Sequence, residues 1–366
     1  MMKSKNLMTF IGCIVFLFSI NMSAQLTMPQ GSQRASVSQK VGITDITITY
    51  SRPSVKNREI WGNLVPYGMN NLGFGTAKES PWRAGANENT TIEFTDDVKI
   101  EGNDIKAGIY GLHMNVKENG SVTIILSSDS TSWGSYFYDP AKDVLQVDVA
   151  STEIPHKELL TYEFIAVDAT STTAALQWEK KQIPFKIEVA VTDIVINNLR
   201  KELQTSKGFT HQTWAQGAQY ILNNGGDLNE ALKWIDNAIS GVFIGNKTAG
   251  NLGIKAAILE KMGKKSEAIA IIDEAKEMAN MNQLNALAYQ VLGMGDKVKA
   301  LALFKENVKR NPKVANMYDS LGDGYKAMGD TKNAIKNYKK VLTLNPQAAV
   351  RAASVKNLKS LGVDVE

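Results

Sequence analysis

Residues 315–348 read ANMYDSLGDGYKAMGDTKNAIKNYKKVLTLNPQA. Tyr318, Leu321, Gly322 and Tyr325 share one helical face ahead of Gly329-Asp330, and Ala334 and Tyr338 share another behind it. Apolar residues at helical spacing on both sides of a Gly-Asp break predict two amphipathic helices joined by a tight turn, and Pro346 closes the unit. The pattern recurs 34 residues earlier from Met281, as Leu284, Leu287, Ala288, Val291, Gly295-Asp296, Ala300, Phe304 and Pro312. A further unit starts near Ala249, and a degenerate one near Gln212. Small residues at the eighth and twentieth positions let the paired helices approach closely, and the large ones fill the space between them. One such pair cannot bury its apolar face alone, so three or more must stack.

This spacing resembles the tetratricopeptide repeat, with about four units over residues 212–348. Residues 191–211 are expected to form a connecting helix or linker, and residues 351–361 a capping helix within a repeat domain that runs to 366. The resemblance implies a protein or peptide partner held on the concave surface of the first helices. The positions expected to face it are Asn282, Asn285, Tyr289, Asn316, Asp319, Asp323 and Lys326. They are polar and mixed in charge, with no basic cluster to clamp a terminal carboxylate. The alternative is an array that only spaces the chain or docks on the preceding domain.

The first half follows a different period. Ile46, Ile48 and Tyr50 alternate with Asp45, Thr47 and Thr49, and similar stripes recur at Ile92 and Phe94, at 110–116, 122–126 and 144–149, and at Tyr162 and Phe164. The last runs are 174–178 and 183–189. Period-two patterning with β-branched and aromatic residues, punctuated by turns such as Glu118-Asn119-Gly120, predicts strands with one buried face. About nine strands without an amphipathic helix predict an antiparallel sandwich over residues 25–190. The expected architecture is therefore multi-domain: an N-terminal all-β antiparallel sandwich followed by an all-α helical repeat solenoid.

Residues 51–91 break the rhythm with a loop-rich stretch carrying aromatics, arginines and amides, and long structured loops of this kind are often functional. YSRPSVKNREIWGNLVPYG, PWRAGANENTTIEFTDDVKIEG, AGIYGLHM and WGSYFYD together resemble the bacterial domain-of-unknown-function family 2911 over residues 33–190. The resemblance implies an exported protein of a Gram-negative bacterium, in some members with helical repeats behind the domain. It implies no activity. It does assign Arg52, Trp82, Arg83, Asn87 and Glu88 to the family's hallmark segment. In many members the Tyr-Gly is followed almost at once by Trp-Arg, whereas residues 69–81 intervene here. The segment has two readings. Arg52, Arg58 or Arg83 pairs with an anionic ligand while Trp61 or Trp82 stacks on a ring. Or the arginines bond internally to Glu59, Glu88 or nearby carbonyls while the indoles fill the core.

At the N-terminus, Lys3 and Lys5 precede an apolar run over 7–20 that ends at Met22-Ser23-Ala24. This layout predicts a signal peptide, residues 1–24, cleaved after Ala24. The run of about 14 residues falls short of the roughly 20 needed to span a bilayer. An uncleaved anchor and lipid attachment at Cys13 are the alternatives, although a lipidated cysteine should follow the apolar run rather than lie inside it. Cleavage removes the only cysteine, so no disulfide is expected and stability must come from packing. Residues 25–190 carry 15 basic against 20 acidic side chains and residues 191–366 carry 24 against 17. Export and the lack of a long basic run argue against a nucleic-acid partner.

Catalytic patterns are sparse. Of His113, His156 and His211, only His113 is a candidate to join the arginine-tryptophan segment, and no nucleophile elbow surrounds any serine. Paired histidines for zinc and clustered carboxylates for calcium are lacking, as is a phosphate-cradling glycine loop, so no metal or cofactor is expected. The expected function is that of a non-catalytic exported adaptor, periplasmic or on the cell surface. Its repeats would bind a protein, and its β domain is a candidate to bind a partner or saccharide. The alternative is an envelope enzyme acting on an anionic or carbohydrate substrate at the Arg/Trp-rich loop.

Overall fold

The computed structural model describes residues 28–365. The expected signal segment and Cys13 lie outside them. Among the described residues the β half contains ten strands: β1 Gln33–Val41, β2 Thr44–Arg52, β3 Thr91–Phe94, β4 Val98–Ile100, β5 Asn103–Ile105, β6 Gly108–Val116, β7 Ser121–Ser127, β8 Asp143–Ala150, β9 Thr152–Val167 and β10 Ser171–Val189. They form a six-stranded sheet in the order β1-β2-β3-β6-β7-β8 and a four-stranded sheet in the order β5-β4-β10-β9. Every pairing between these strands is antiparallel.

Alternation decides the inner faces. Ile46, Ile48 and Tyr50 of β2 and Leu112, Met114 and Val116 of β6 pack into one core with Leu160, Tyr162, Leu176, Trp178 and Phe185 of the other sheet. Tyr50 and Tyr162 meet edge to face at 4.8 Å. The Tyr162 backbone N–H donates to the Tyr50 hydroxyl at 3.1 Å. Two sequence expectations change here. The runs 174–178 and 183–189 belong to one strand, β10, which continues through bulges around Glu179, where φ is +54°. A bulge resets the period-two register, so one strand reads as two. Strand β1, an edge strand, is missing from the expected runs because its inward stripe of Ala35, Val37 and Val41 is interrupted by Gln39 and most of its residues are exposed or half-buried.

Ten helices follow among the described residues. Helix α1 is Val191–Glu202, and the pairs are α2 His211–Asn224 with α3 Leu228–Ser240, α4 Ala249–Lys261 with α5 Lys265–Met278, α6 Met281–Gly293 with α7 Lys297–Arg310, and α8 Ala315–Ala327 with α9 Thr331–Leu342. Helix α10, Ala348–Ser360, closes the array beside α8 and α9. The Gly-Asp turns work as their chemistry predicts. Gly295 and Gly329 take left-handed φ of +85° and +80°. Asp296 and Asp330 then cap α7 and α9 by accepting the backbone N–H of Lys299 and Asn333.

Helix α1 joins the halves. Its Val191 and Ile194 pack on the sandwich core, and its Ile196 enters the core of the first repeat with Ile221 and Ile235. The β1–β2 turn abuts it: a Cβ on Gly42 would stand 2.6 Å from Val191 Cγ1.

Candidate functional site

Between β2 and β3 the chain makes a long excursion that hydrogen bonds pin to the sandwich. The Val55 N–H donates to the Glu158 carbonyl at 2.8 Å, and Trp82 exchanges both backbone bonds with Met114 of β6 at 3.0 and 2.9 Å. The extra residues 69–81 leave and rejoin at one point, where Asn70 and Ser80 exchange two bonds of 2.9 Å. The tip of that loop is held where the Thr76 and Ala77 N–H groups both donate to the Tyr136 carbonyl at 3.1 Å. The insertion therefore loops out from a closed base and leaves Tyr67-Gly68 and Trp82-Arg83 near each other.

The excursion walls a cleft of about 350 Å³ with residues of β10 and of the segment between β7 and β8. Its apolar walls include Pro53, Leu64, Leu72, Trp82 and Trp178, and its polar groups include Arg58, Asn70, Arg83 and Asn87. Trp82 and Trp178 lie nearly parallel, 6.1 Å apart at 17°, and Trp61 meets both edge-on. Trp178 is 1% exposed and its indole N–H has no acceptor among the described residues. Arg83 donates to the Asn87 carbonyl at 2.7 Å and lies over the Tyr136 ring at 4.9 Å. Ala84 and Asn87 beside it hold left-handed φ of +51° and +60°, a conformation that costs a non-glycine residue energy and persists only where its surroundings impose it.

Arg58, Trp82, Arg83 and Asn87 are thus brought together. Arg52, Glu88 and His113 are not among the residues lining the cleft. Arg52 donates to the Leu160 carbonyl and the Thr161 hydroxyl of β9. Glu88 faces Arg34 at 3.5 Å, and its carboxyl lies below the usual range, chiefly through its own backbone N–H. The arginine–carboxylate pairing considered for Arg52, Arg58 and Arg83 does not occur among the described residues. Each is satisfied by neutral acceptors, and Arg58 donates to the Val55 and Ser54 carbonyls. His113 is 3% exposed. Its Nδ1 lies 3.0 Å from the Oγ of Ser135, itself 1% exposed. Burial first, and the Arg83 charge second, push the His113 imidazole down to about 4. It stands neutral behind the wall of the cleft. Among the described residues no group of three His, Cys, Asp or Glu stands together as a metal would need.

The repeats present their opening elsewhere than expected. Asp319 is buried and accepts a bond from Ser354 of α10. Asp323 accepts from the Tyr289 and Tyr338 hydroxyls at 2.6 and 2.7 Å. Lys326 donates to Asn357 at 3.0 Å. These bonds link α8 to α6, to α9 and to α10, which occupies the place of another first helix, while Tyr289 and Lys326 remain exposed. Asn282 is exposed, Asn285 and Asn316 are half-buried, and the Asn285 carbonyl oxygen lies buried without a donor among the described residues.

An open, uncharged surface lies toward the other end of the array. Two adjoining depressions of about 480 and 280 Å³ run over α2, α4 and α6 and share Gln219 and Ile254. Gln212, Gln216, Gln219, Asn223, Gln283 and Gln290 line them, with Gly250, Gly253, Ala257 and Ala286 between, and no lining side chain is a carboxylate, lysine or arginine. Sequence reading overlooked this surface. Gln212, Gln216, Gln219 and Asn223 recur at steps of four, three and four, which puts them on one helical face.

Comparison with known proteins agrees with the two halves. Residues 32–187 match the protein family of unknown function DUF2911, and residues 315–348 match a tetratricopeptide repeat. The two matches fall in the order expected from the sequence, the β domain first and the repeat behind it. No curated protein matches it. Among solved structures it is similar to MamA 41-end from Desulfovibrio magneticus RS-1, with 17% identity, a TM-score of 0.33, and coverage of 42% of this chain and 86% of that one. TTC0263, a TPR protein of Thermus thermophilus, gives 15%, 0.35, and coverage of 46% and 91%. YrrB, described as a TPR protein with an unusual peptide-binding site, gives 13%, 0.33, and coverage of 46% and 84%. Likeness at this level says nothing of what the chain binds.

Proposed function

We propose that this chain is an exported envelope adaptor whose repeats hold an extended, uncharged stretch of a partner protein. The observation that carries the reading is the trough over α2, α4 and α6, lined by carboxamides and floored by glycine and alanine. A glutamine or asparagine side chain offers a donor and an acceptor side by side, as a peptide unit does. It therefore matches a partner's main chain whatever its sequence. The small floor residues admit a backbone closely, and the absence of lining charge removes any preference for a charged tail. Export is supported by Lys3 and Lys5, the apolar run over 7–20 and Met22-Ser23-Ala24. On this reading the mature chain begins at Gln25 and works in the periplasm or at the cell surface.

Crosslinked affinity capture from envelope extract tests the proposal, run with the whole chain and with a Gln216→Glu, Gln219→Glu variant that puts two carboxylates in the trough. The expected result is one reproducible protein retrieved by the whole chain and lost in the variant, at unchanged melting temperature. Equal retrieval by the variant would exclude the trough. N-terminal sequencing of the envelope form checks export: a start at Gln25 supports it, and an intact Met1 contradicts it.

A further inference from the structure

We infer that the tryptophan cleft of the β domain is a binding site for an acidic sugar, that is, a sugar ring carrying a carboxylate or a phosphate. The inference concerns a different module from the repeat trough and stands without it. Three features converge on this chemistry. Arg58 and Arg83 line the cleft, no carboxylate does, and neither arginine forms an ion pair among the described residues. Their carbonyl partners take up N–H groups but leave both positive charges uncompensated. Two guanidinium groups held in place without a counter-ion favour an anion whose neighbouring oxygens accept two parallel N–H bonds, as those of a carboxylate or a phosphate do.

The second feature is the aromatic wall. Trp82, half-buried and backed by the stacked Trp178 at 17°, gives the cleft flat apolar surface, which suits the apolar face of a pyranose ring. Trp178 adds a donor: its indole N–H is buried, and the residue lines the cleft without giving that N–H an acceptor among the described residues. A buried donor left unpaired is destabilising, and a ligand oxygen would pair it. The third feature is a pair of acceptors. Asn70 and Asn87 direct their Nδ2 groups at the Gly68 and Ser32 carbonyls, each at 2.9 Å, which leaves their Oδ1 atoms to receive sugar hydroxyls. A volume of about 350 Å³ lies within the roughly 300–1,000 Å³ of small-molecule sites.

Indole ¹⁵N–¹H spectra of the full chain test this directly. The chain has six tryptophans, and Trp178→Phe identifies the resonance of the cleft. The probes are glucuronic acid, glucose 6-phosphate and neutral glucose. At least one acid should shift the Trp178 and Trp82 signals saturably, with Trp214 and Trp234 unmoved and glucose inert. Which acid saturates distinguishes a uronic acid from a sugar phosphate. Arg58 is exposed, so Arg58→Gln should keep the fold and weaken binding by about tenfold or more, the loss of one charge-assisted bond. The inference is overturned if neither acid saturates the shifts, if glucose matches the acids, or if Arg58→Gln binds as the wild type does.

Discussion

Gly322 lies against the ring of Tyr338, so closely that a Cβ there would stand 2.5 Å from Cε1. The ring is fully buried between α8 and α9, and its hydroxyl is anchored on Asp323 at 2.7 Å, so it cannot swing aside. Gly322→Ala should therefore destabilise the last repeat by about 1–3 kcal/mol, although alanine is the better helix former. Denaturant unfolding followed by circular dichroism measures the change.

Gly134 plays a similar part in the β domain. Its φ is +61°, and a Cβ there would come within 2.4 Å of the Arg83 guanidinium carbon. Gly134→Ala combines about 1–2 kcal/mol of backbone cost with displacement of Arg83 from the Tyr136 ring. A lowered melting temperature is expected, together with weaker binding of any acid that Arg83 holds.

His113 makes stability depend on pH. Its folded value of about 4 lies below the usual imidazole value of about 6.5, so the unfolded chain binds the proton more readily. Stability is complete above about 6.5 and falls as pH drops toward 4, by up to about 3 kcal/mol. Melting temperatures across that window should decline, and His113→Gln should flatten this part of the decline.

Asp319 acts in the opposite sense. Burial raises its carboxyl, and the nearby Asp323 charge adds to the shift. Its stabilising contribution is present below the unfolded carboxylate value of about 3.9 and is lost as pH rises through the folded value. Asp319→Asn, which keeps an acceptor for Ser354, should raise the melting temperature at pH 7 and leave it unchanged near pH 3. A lower melting temperature at pH 7 would contradict this.

The repeats were legible because their information is local. A 34-residue period, a Gly-Asp turn and a small residue opposite a large ring each act within one helix pair. Strands with one clean buried face were legible for the same reason. Strand β1, whose inward stripe of Ala35, Val37 and Val41 is interrupted by Gln39, and the bulged strand β10 were not, because an edge strand buries little apolar surface and a register shift breaks the period. The hallmark segment over 82–88 was visible as a loop rich in arginine and amides, and Trp82, Arg83 and Asn87 from it do line one cleft with Arg58.

What tertiary structure alone decided is which groups meet, and so which of them remain available. Trp61, Trp82 and Trp178 are scattered along the sequence and meet only where the excursion after β2 packs across β10. Asp319 and Asp323 occupy first-helix positions that read as exposed, yet α10 and neighbouring tyrosines cover them. Sequence by itself determined the elements and their stacking order, because propensity and periodicity act over a few residues. It did not determine which polar groups were left for a ligand. Availability is what remains after every distant neighbour has taken its bond.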